Sequence, residues 1–209
     1  MTVIDEKESS PDTNSPNEII DEQRRRFLLA TTGVLGGVGV ACALTPLFSS
    51  WLPSAKAEAA GAPVRVDLSK IEPGQQVTVE WRGKPVWIIR RTEEMLEKLR
   101  EQEQLLRDPG SIVEQQPAYA KNQYRSINPE YLVLIGICTH LGCSPKYTPR
   151  ENELGPNWLG GFYCPCHGST FDLAGRVFKG VPAPINLEVP PYRFISEKII
   201  VIGQDEGHR

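Results

Sequence analysis

The sequence has little net charge, few histidines and no internal repeat. Its 23 Lys and Arg residues nearly balance 26 Asp and Glu residues, for a net charge of -3, so the charge gives no sign of a nucleic-acid partner. Only three histidines and five cysteines are present in the 209 residues. Two short stretches hold two of these histidines and four of these cysteines, so metal binding is the first function to consider.

The first loop (residues 138–143) reads C-T-H-L-G-C, and the second loop (residues 164–169) reads C-P-C-H-G-S. One residue separates Cys138 from His140, and two residues separate Cys164 from His167. Each loop can therefore present one thiolate and one imidazole. Together the two loops supply a set of two cysteines and two histidines.

Two kinds of metal site use such a set. A structural zinc site usually pairs Cys with Cys and His with His along the chain, and it would leave Cys143 and Cys166 without a role. A 2Fe-2S centre of the Rieske type places two thiolates on one iron and two imidazoles on the other. The mixed spacing favours the iron-sulfur centre. A zinc-stabilised binding module is the alternative from a different functional class.

The paired motifs resemble those of the Rieske iron-sulfur subunits of bacterial ubiquinol-cytochrome c reductases, over about Arg24 to Val201. The resemblance implies one 2Fe-2S cluster and a disulfide between Cys143 and Cys166. Ferredoxin-type Rieske proteins lack this second cysteine pair. A Rieske subunit of another exported oxidoreductase, such as arsenite oxidase, is an alternative. The implied cluster ligands are Cys138, His140, Cys164 and His167.

The resemblance also implies an electron carrier that works within a larger enzyme. Such a chain accepts an electron from ubiquinol at a cytochrome b subunit, with a proton on a ligand histidine, and passes the electron to a c-type cytochrome. His140 and His167 would be the catalytic quinol contacts, and the family favours His167. We expect a proton-translocating, dimeric complex in which this chain is not active alone.

Neighbouring residues are expected to tune and dock the centre. Ser169 resembles a family serine that hydrogen-bonds the cluster, whereas Phe171 stands where many relatives have a tyrosine. The segment 179–184, K-G-V-P-A-P, resembles the family's proline loop, with a surface turn as the alternative. The residues expected to form the docking surface are Leu141, Gly142, Gly180, Pro182 and Pro184.

The disulfide has a structural and a redox interpretation. As a clamp it closes a loop of about 24 residues, worth roughly 3 kcal/mol by loop-closure entropy. We favour the clamp because a bridge at this place restrains both loops whatever its own potential. It also indicates an oxidising compartment. The fifth cysteine, Cys42, lies in an apolar run and is most simply a packed side chain.

An N-terminal signal and a transmembrane anchor are predicted over residues 24–52. Arg24, Arg25 and Arg26 match a twin-arginine export signal, and residues 27–52 carry no charge and are long enough to cross a bilayer. A cleavable signal peptide, cut near Ala57, is the alternative. The expected location is the bacterial inner membrane, with a single pass, a cytoplasmic N-terminus and a periplasmic Rieske domain.

The remaining organisation is mainly β. We predict a polar cytoplasmic tail (1–23), a flexible hinge (53–63) and an antiparallel β-sandwich Rieske domain (64–209) with a small cluster-binding subdomain at about 136–184. One helix is expected at about 93–106, followed by a loop over 108–130, which together form a helix-loop insertion. A buried strand over 131–137 leads to the first loop. Residues 146–161 are assigned no chemistry.

Overall fold

The computed structural model describes residues 16–55, 57 and 61–205, with only the backbone described for residues 16–20. The chain divides into two compact units, Met1–Ser54 and Ala55–Arg209. Most of the predicted tail (1–23) and part of the predicted hinge (53–63) lie outside the described residues. Within the hinge, the Gly61 amide donates to the carbonyl of Ala57 at 3.2 Å. The hinge remains a prediction.

Helix α1 spans Pro16–Ser49, so it begins inside the predicted tail and ends close to the predicted boundary. Proline suits a first helical position because its missing amide proton has no intrahelical partner there. Asp21–Ser49 is long and apolar enough to cross a membrane, with 29 residues and a mean hydropathy of 2.0. The side chains of residues 21–49 make few contacts within this chain and are all exposed.

The second unit is built from three antiparallel three-stranded sheets, which confirms the mainly β prediction. The strand orders are β1-β9-β8, β2-β3-β4 and β5-β6-β7. Because β1 pairs with β9, the start and the end of the unit lie in one sheet. The strands are β1 Val64–Asp67, β2 Gln76–Trp81, β3 Lys84–Arg90, β4 Tyr131–Ile135, β5 Lys146–Thr148, β6 Gly161–Tyr163, β7 Thr170–Phe171, β8 Tyr192–Ser196 and β9 Ile199–Ile202.

The hairpin between β2 and β3 turns on two residues. Arg82 and Gly83 have φ of 52° and 70°, and positive φ at both positions matches the twist of the flanking strands. Because Lys84 already pairs with Trp81, the turn consists of Arg82 and Gly83 alone.

Strand β4 is the buried strand that leads to the first loop. All five of its residues are buried, and it pairs with β3 on one side. Just beyond its end the backbone at Gly136 passes so close to the indole ring of Trp87 that a Cβ at this position would overlap the ring. Trp87 in turn stacks on Phe162 of β6 at 5.2 Å. One aromatic pair thus joins β3, the neighbour of β4, to β6, the strand that precedes the second loop.

Helix α2 spans Glu93–Glu101, shorter than the predicted 93–106. The Thr92 hydroxyl accepts from the Met95 amide, a standard N-cap. A short 3-10 helix, Glu103–Leu105, follows. Regular helix stops there because Leu106 forms an isolated antiparallel bridge with Phe178, far along the chain.

Three buried arginines hold the irregular loop 108–130 against the rest of the unit. Arg91 donates to the carbonyls of Tyr124 and Leu173, and Arg125 donates to those of Gly175 and other residues. Burial lowers the pKa of Arg91 and of Arg125 to about 10, so both remain charged at neutral pH. The guanidinium groups thereby donate hydrogen bonds to backbone carbonyls that have no strand partner.

Arg176 is the third buried arginine, and it forms an ion pair with buried Asp172 at 2.7 Å. Its guanidinium also donates to the carbonyl of Leu99 at 2.8 Å, which attaches α2 to the hairpin that follows the second loop. Removal of one partner of such a pair strongly lowers the stability of the fold, because the other charge is left buried.

Candidate metal centre

Each of the two loops follows a strand, and the two strands belong to different sheets. The first loop begins shortly after β4, and the second loop connects β6 directly to β7. The segment 146–161, assigned no chemistry above, contributes β5, which pairs with β6. This part of the chain therefore helps to support the second loop.

The same pair of backbone hydrogen bonds closes each loop. In the first loop the Cys138 amide donates to the Cys143 carbonyl at 2.7 Å, and the Gly142 amide donates back to the Cys138 carbonyl at 3.0 Å. In the second loop the Cys164 amide donates to the Ser169 carbonyl at 2.8 Å, and the Gly168 amide donates back to the Cys164 carbonyl at 2.9 Å. The two loops thus share one backbone frame.

A glycine with positive φ makes each turn possible. Gly142 has φ of 84° and Gly168 has φ of 75°, a left-handed conformation that other residues rarely adopt. No atom lies within 4 Å of a Cβ built on either glycine. Conformation, and not lack of space, is therefore the reason for glycine at both places.

The frame brings the four predicted ligand residues together. Cys138 and Cys164 are both buried, with 2 % exposure each, and neither forms a disulfide. The rings of His140 and His167 lie edge to face, with centroids 4.7 Å apart. His167 is exposed, whereas His140 is half-buried. The thiols are thus inside and the imidazoles near the surface.

One buried nitrogen in this group lacks a hydrogen-bond partner. It is Nδ1 of His140, although a buried polar atom normally has a partner. Coordination of a metal would provide one. Burial also raises the pKa of the Cys138 thiol, so a thiolate there requires a nearby positive charge such as a metal ion. Two buried free thiols and an unpartnered imidazole nitrogen fit a 2Fe-2S cluster.

The Ser169 hydroxyl connects this group to the proline loop (residues 179–184). Its oxygen accepts from the Ala183 amide at 3.0 Å, and its side chain also hydrogen-bonds Cys138, which lowers the pKa of that thiol. From the first loop, Thr139 donates to the carbonyl of Ile185 at 2.7 Å. Both loops are therefore attached to one short segment, residues 183–185, and no sequence motif marks Thr139 for this role.

Cys143 and Cys166 form a disulfide, which confirms the predicted pairing. Their sulfurs and that of Cys164 lie within 4.8 Å of one another. This proximity does not make a three-cysteine metal site, because two of the three sulfurs are bonded to each other. The bridge joins the end of the first loop to the middle of the second.

The predicted docking residues lie on the surface. Leu141 is 70 % exposed at the tip of the first loop, an unusual position for a large apolar side chain. The other predicted docking residues are all exposed, namely Gly142, Gly180, Pro182 and Pro184. Phe171, by contrast, is fully buried on β7.

Known proteins resemble the chain in both units. Residues 63–192 match the family model described as Rieske [2Fe-2S] domain, and residues 15–54 match the one described as Ubiquitinol-cytochrome C reductase Fe-S subunit TAT signal. The signal match and the apolar helix fit an exported, membrane-anchored subunit.

Individual relatives carry the name ubiquinol-cytochrome c reductase iron-sulfur subunit. The one from Allochromatium vinosum is 56% identical over 190 residues, covering 90% of this chain and 92% of the relative. The one from Bradyrhizobium diazoefficiens is 44% identical over 180 residues, covering 86% and 94%. Among solved structures, a chain of "Hyperthermophilic respiratory Complex III" gives a TM-score of 0.46 at 29% identity, covering 81% of this chain and 97% of that one.

Proposed function

Because the chain belongs to the Rieske [2Fe-2S] family, among the iron-sulfur subunits of ubiquinol-cytochrome c reductase, we propose that it carries single electrons from ubiquinol at a cytochrome b subunit to a c-type cytochrome. The observation that carries this proposal is the pair of matched loops, with buried thiols and adjacent imidazoles. The relatives do not favour the alternative of another exported oxidoreductase such as arsenite oxidase.

The proposed ligands divide between the two irons by residue type. Cys138 and Cys164 would hold the inner iron, and His140 and His167 would hold the outer one. When bound, the cluster supplies one-electron redox chemistry at a potential above that of all-cysteine clusters, since neutral imidazoles replace two thiolates. Ser169 would donate its hydroxyl proton to a sulfur and stabilise the more negative, reduced state.

The two histidines are the proposed quinol contacts. His167 is the more exposed, so we assign it the hydrogen bond to the quinol hydroxyl and the acceptance of its proton. His140 lies against it and is the second proton-accepting candidate. The apolar tip at Leu141 and the exposed proline loop would exclude water from the contact.

Around the site we propose docking to both cytochromes through one surface. It consists of Leu141, Gly142, Gly180, Pro182 and Pro184. The complex would be a dimeric, proton-translocating oxidoreductase of the bacterial inner membrane, inactive as this chain alone. Helix α1 would cross the membrane once, with a cytoplasmic N-terminus marked by the arginines at 24–26 and a periplasmic cluster domain.

The hinge (53–63) is proposed to let the cluster domain move between the two cytochromes. Eleven extended residues reach roughly 35 Å. Prolines at positions 57 and 59 should then slow turnover while cluster content stays normal. Unchanged turnover would exclude the hinge.

Purification of the full chain within its native membrane complex tests the proposal. We expect co-purifying b- and c-type haem, quinol-dependent reduction of cytochrome c, and a low-average-g electron resonance signal after reduction. A colourless protein with zinc and no iron would instead establish a binding module. Intact mass distinguishes the anchor from a cleaved signal peptide, since cleavage would remove the first 57 residues.

A further inference from the structure

A short segment after α2 is hydrogen-bonded along the approach to the proline loop. The Arg107 amide donates to the Val177 carbonyl, and the Lys179 amide donates to the Leu105 carbonyl, both at 2.9 Å. Leu106 lies between these bonds and is 1 % exposed. The segment 105–107 therefore acts as an extra strand beside residues 177–179.

Arg107 extends this contact into the proline loop itself. Its Nη2 donates to the Val181 carbonyl at 3.2 Å, although the arginine is exposed and lies outside the two cluster loops. Gly180 itself is exposed and has φ of 78°, whereas Val181 is partly buried against the core. The bond from Arg107 therefore adds a polar contact to a residue that packing already holds in part.

Two residues beyond Val181, the proline loop contacts the centre. The Ala183 amide donates to the oxygen of Ser169, which is fully buried and lies two residues beyond His167. A hydroxyl carries a single proton, and because the Ser169 oxygen accepts from Ala183, this proton stays available for a sulfur of the proposed cluster. The position of Ala183 therefore determines how the Ser169 hydroxyl is oriented.

We propose that Arg107 is a positioning residue for the cluster. By holding the Val181 carbonyl it fixes the proline loop, and through Ala183 it fixes the Ser169 hydroxyl that donates to the cluster. The inference rests on the proposed function, because it assigns Ser169 a cluster sulfur. It adds to that function a residue on the helix-loop insertion that tunes the centre from outside the two loops.

Hydrogen exchange and voltammetry on the full chain in detergent test this role, with the variant Arg107→Gln. We expect the Ala183 amide to exchange about fivefold faster, the loss that one modest hydrogen bond produces, and the midpoint potential to fall. The matched control is Arg100→Gln, which removes the same charge from the same insertion at a residue bonded to the Tyr124 hydroxyl. The control should change neither quantity, and equal changes in both variants would overturn the proposal.

A double-mutant cycle with Ser169→Ala separates positioning from charge. If Arg107 acts through Ser169, Arg107→Gln should lower the potential of the wild-type background and leave that of the Ser169→Ala background unchanged. An equal drop in both backgrounds would mean a direct charge effect and would refute positioning. The two proposals fail separately: a chain without iron overturns the function, whereas unchanged Ala183 exchange in an iron-loaded chain overturns only the role of Arg107.

Discussion

The first and second loops are closed by matching hydrogen bonds, yet they differ in what they expose. The first loop exposes an apolar tip at Leu141 and keeps Nδ1 of His140 buried, whereas the second loop exposes His167. The disulfide then joins loops whose frames are alike and whose surfaces are not. One backbone frame can thus present two different surfaces, an apolar tip on the first loop and an exposed imidazole on the second.

The largest expected effect tests the equivalence of the two buried thiols. Cys138→Ser and Cys164→Ser should each abolish iron binding, since each removes one of the two thiolates proposed for the same iron. Iron content and the electron resonance signal measure this, with Cys42→Ser on α1 as the control that should retain both. If either loop variant keeps a normal signal, the ligand assignment is wrong for that loop.

Removal of the disulfide should loosen both loops together. The double variant Cys143→Ser, Cys166→Ser is expected to lower the free energy of unfolding by about 3 kcal/mol, because the unfolded chain gains the freedom of an open loop. Denaturant unfolding of the full chain in detergent measures the change. A loss below 1 kcal/mol would show that the hydrogen-bonded frames alone hold the loops.

The shared frame itself can be tested at its two glycines. Gly142→Ala and Gly168→Ala should each lower the free energy of unfolding by about 1 kcal/mol, because alanine is strained at positive φ. Gly110→Ala is the control, since its Cβ would meet only Ile112 at an ordinary distance of 3.6 Å and no positive φ is required. The control should be neutral or stabilising. Unequal losses at the two loop glycines would contradict the equivalence of the frames.

The smallest expected effect concerns Phe171, which lies on the strand that follows the second loop. Phe171→Tyr on β7 should raise the midpoint potential by about 20 to 60 mV, the equivalent of one added hydrogen bond to a ligand thiolate. Film voltammetry measures the shift. No rise, together with lower stability, would mean that the hydroxyl is buried without a partner.

Local signals were enough to predict the two loops but not the parts that support them. The spacing of cysteine and histidine identified both loops, and the apolar run of β4 identified the strand before the first. Strand β5 has only three residues and no readable alternation, so its pairing with β6 could not be predicted. The same holds for the end of α2, where Leu106 pairs with a strand-like segment about seventy residues later.

Long-range contacts of single side chains were equally invisible in the sequence. Arg125 lies in a stretch with three prolines and one glycine, which predicts an ordinary surface loop, yet it is fully buried and donates to the carbonyl of Leu187 at 2.6 Å. Arg107 has no feature that separates it from other charged residues of the insertion. Such roles depend on which carbonyls the fold places nearby, and local propensity carries no information about them.

The charge of the buried arginines is also relevant to how readily the cluster domain accepts an electron. Of the residues that the structure describes, three arginines but only one carboxylate, Asp172, are buried in the cluster domain. Arg91 and Arg125 pair chiefly with backbone carbonyls, whereas Arg176 pairs with Asp172 and lies 3.9 Å from Glu103. Positive charge in a weakly screening interior favours the entry of an electron over its exit. We therefore expect the residues that hold an irregular loop in place to favour the reduced state of a cluster in this domain.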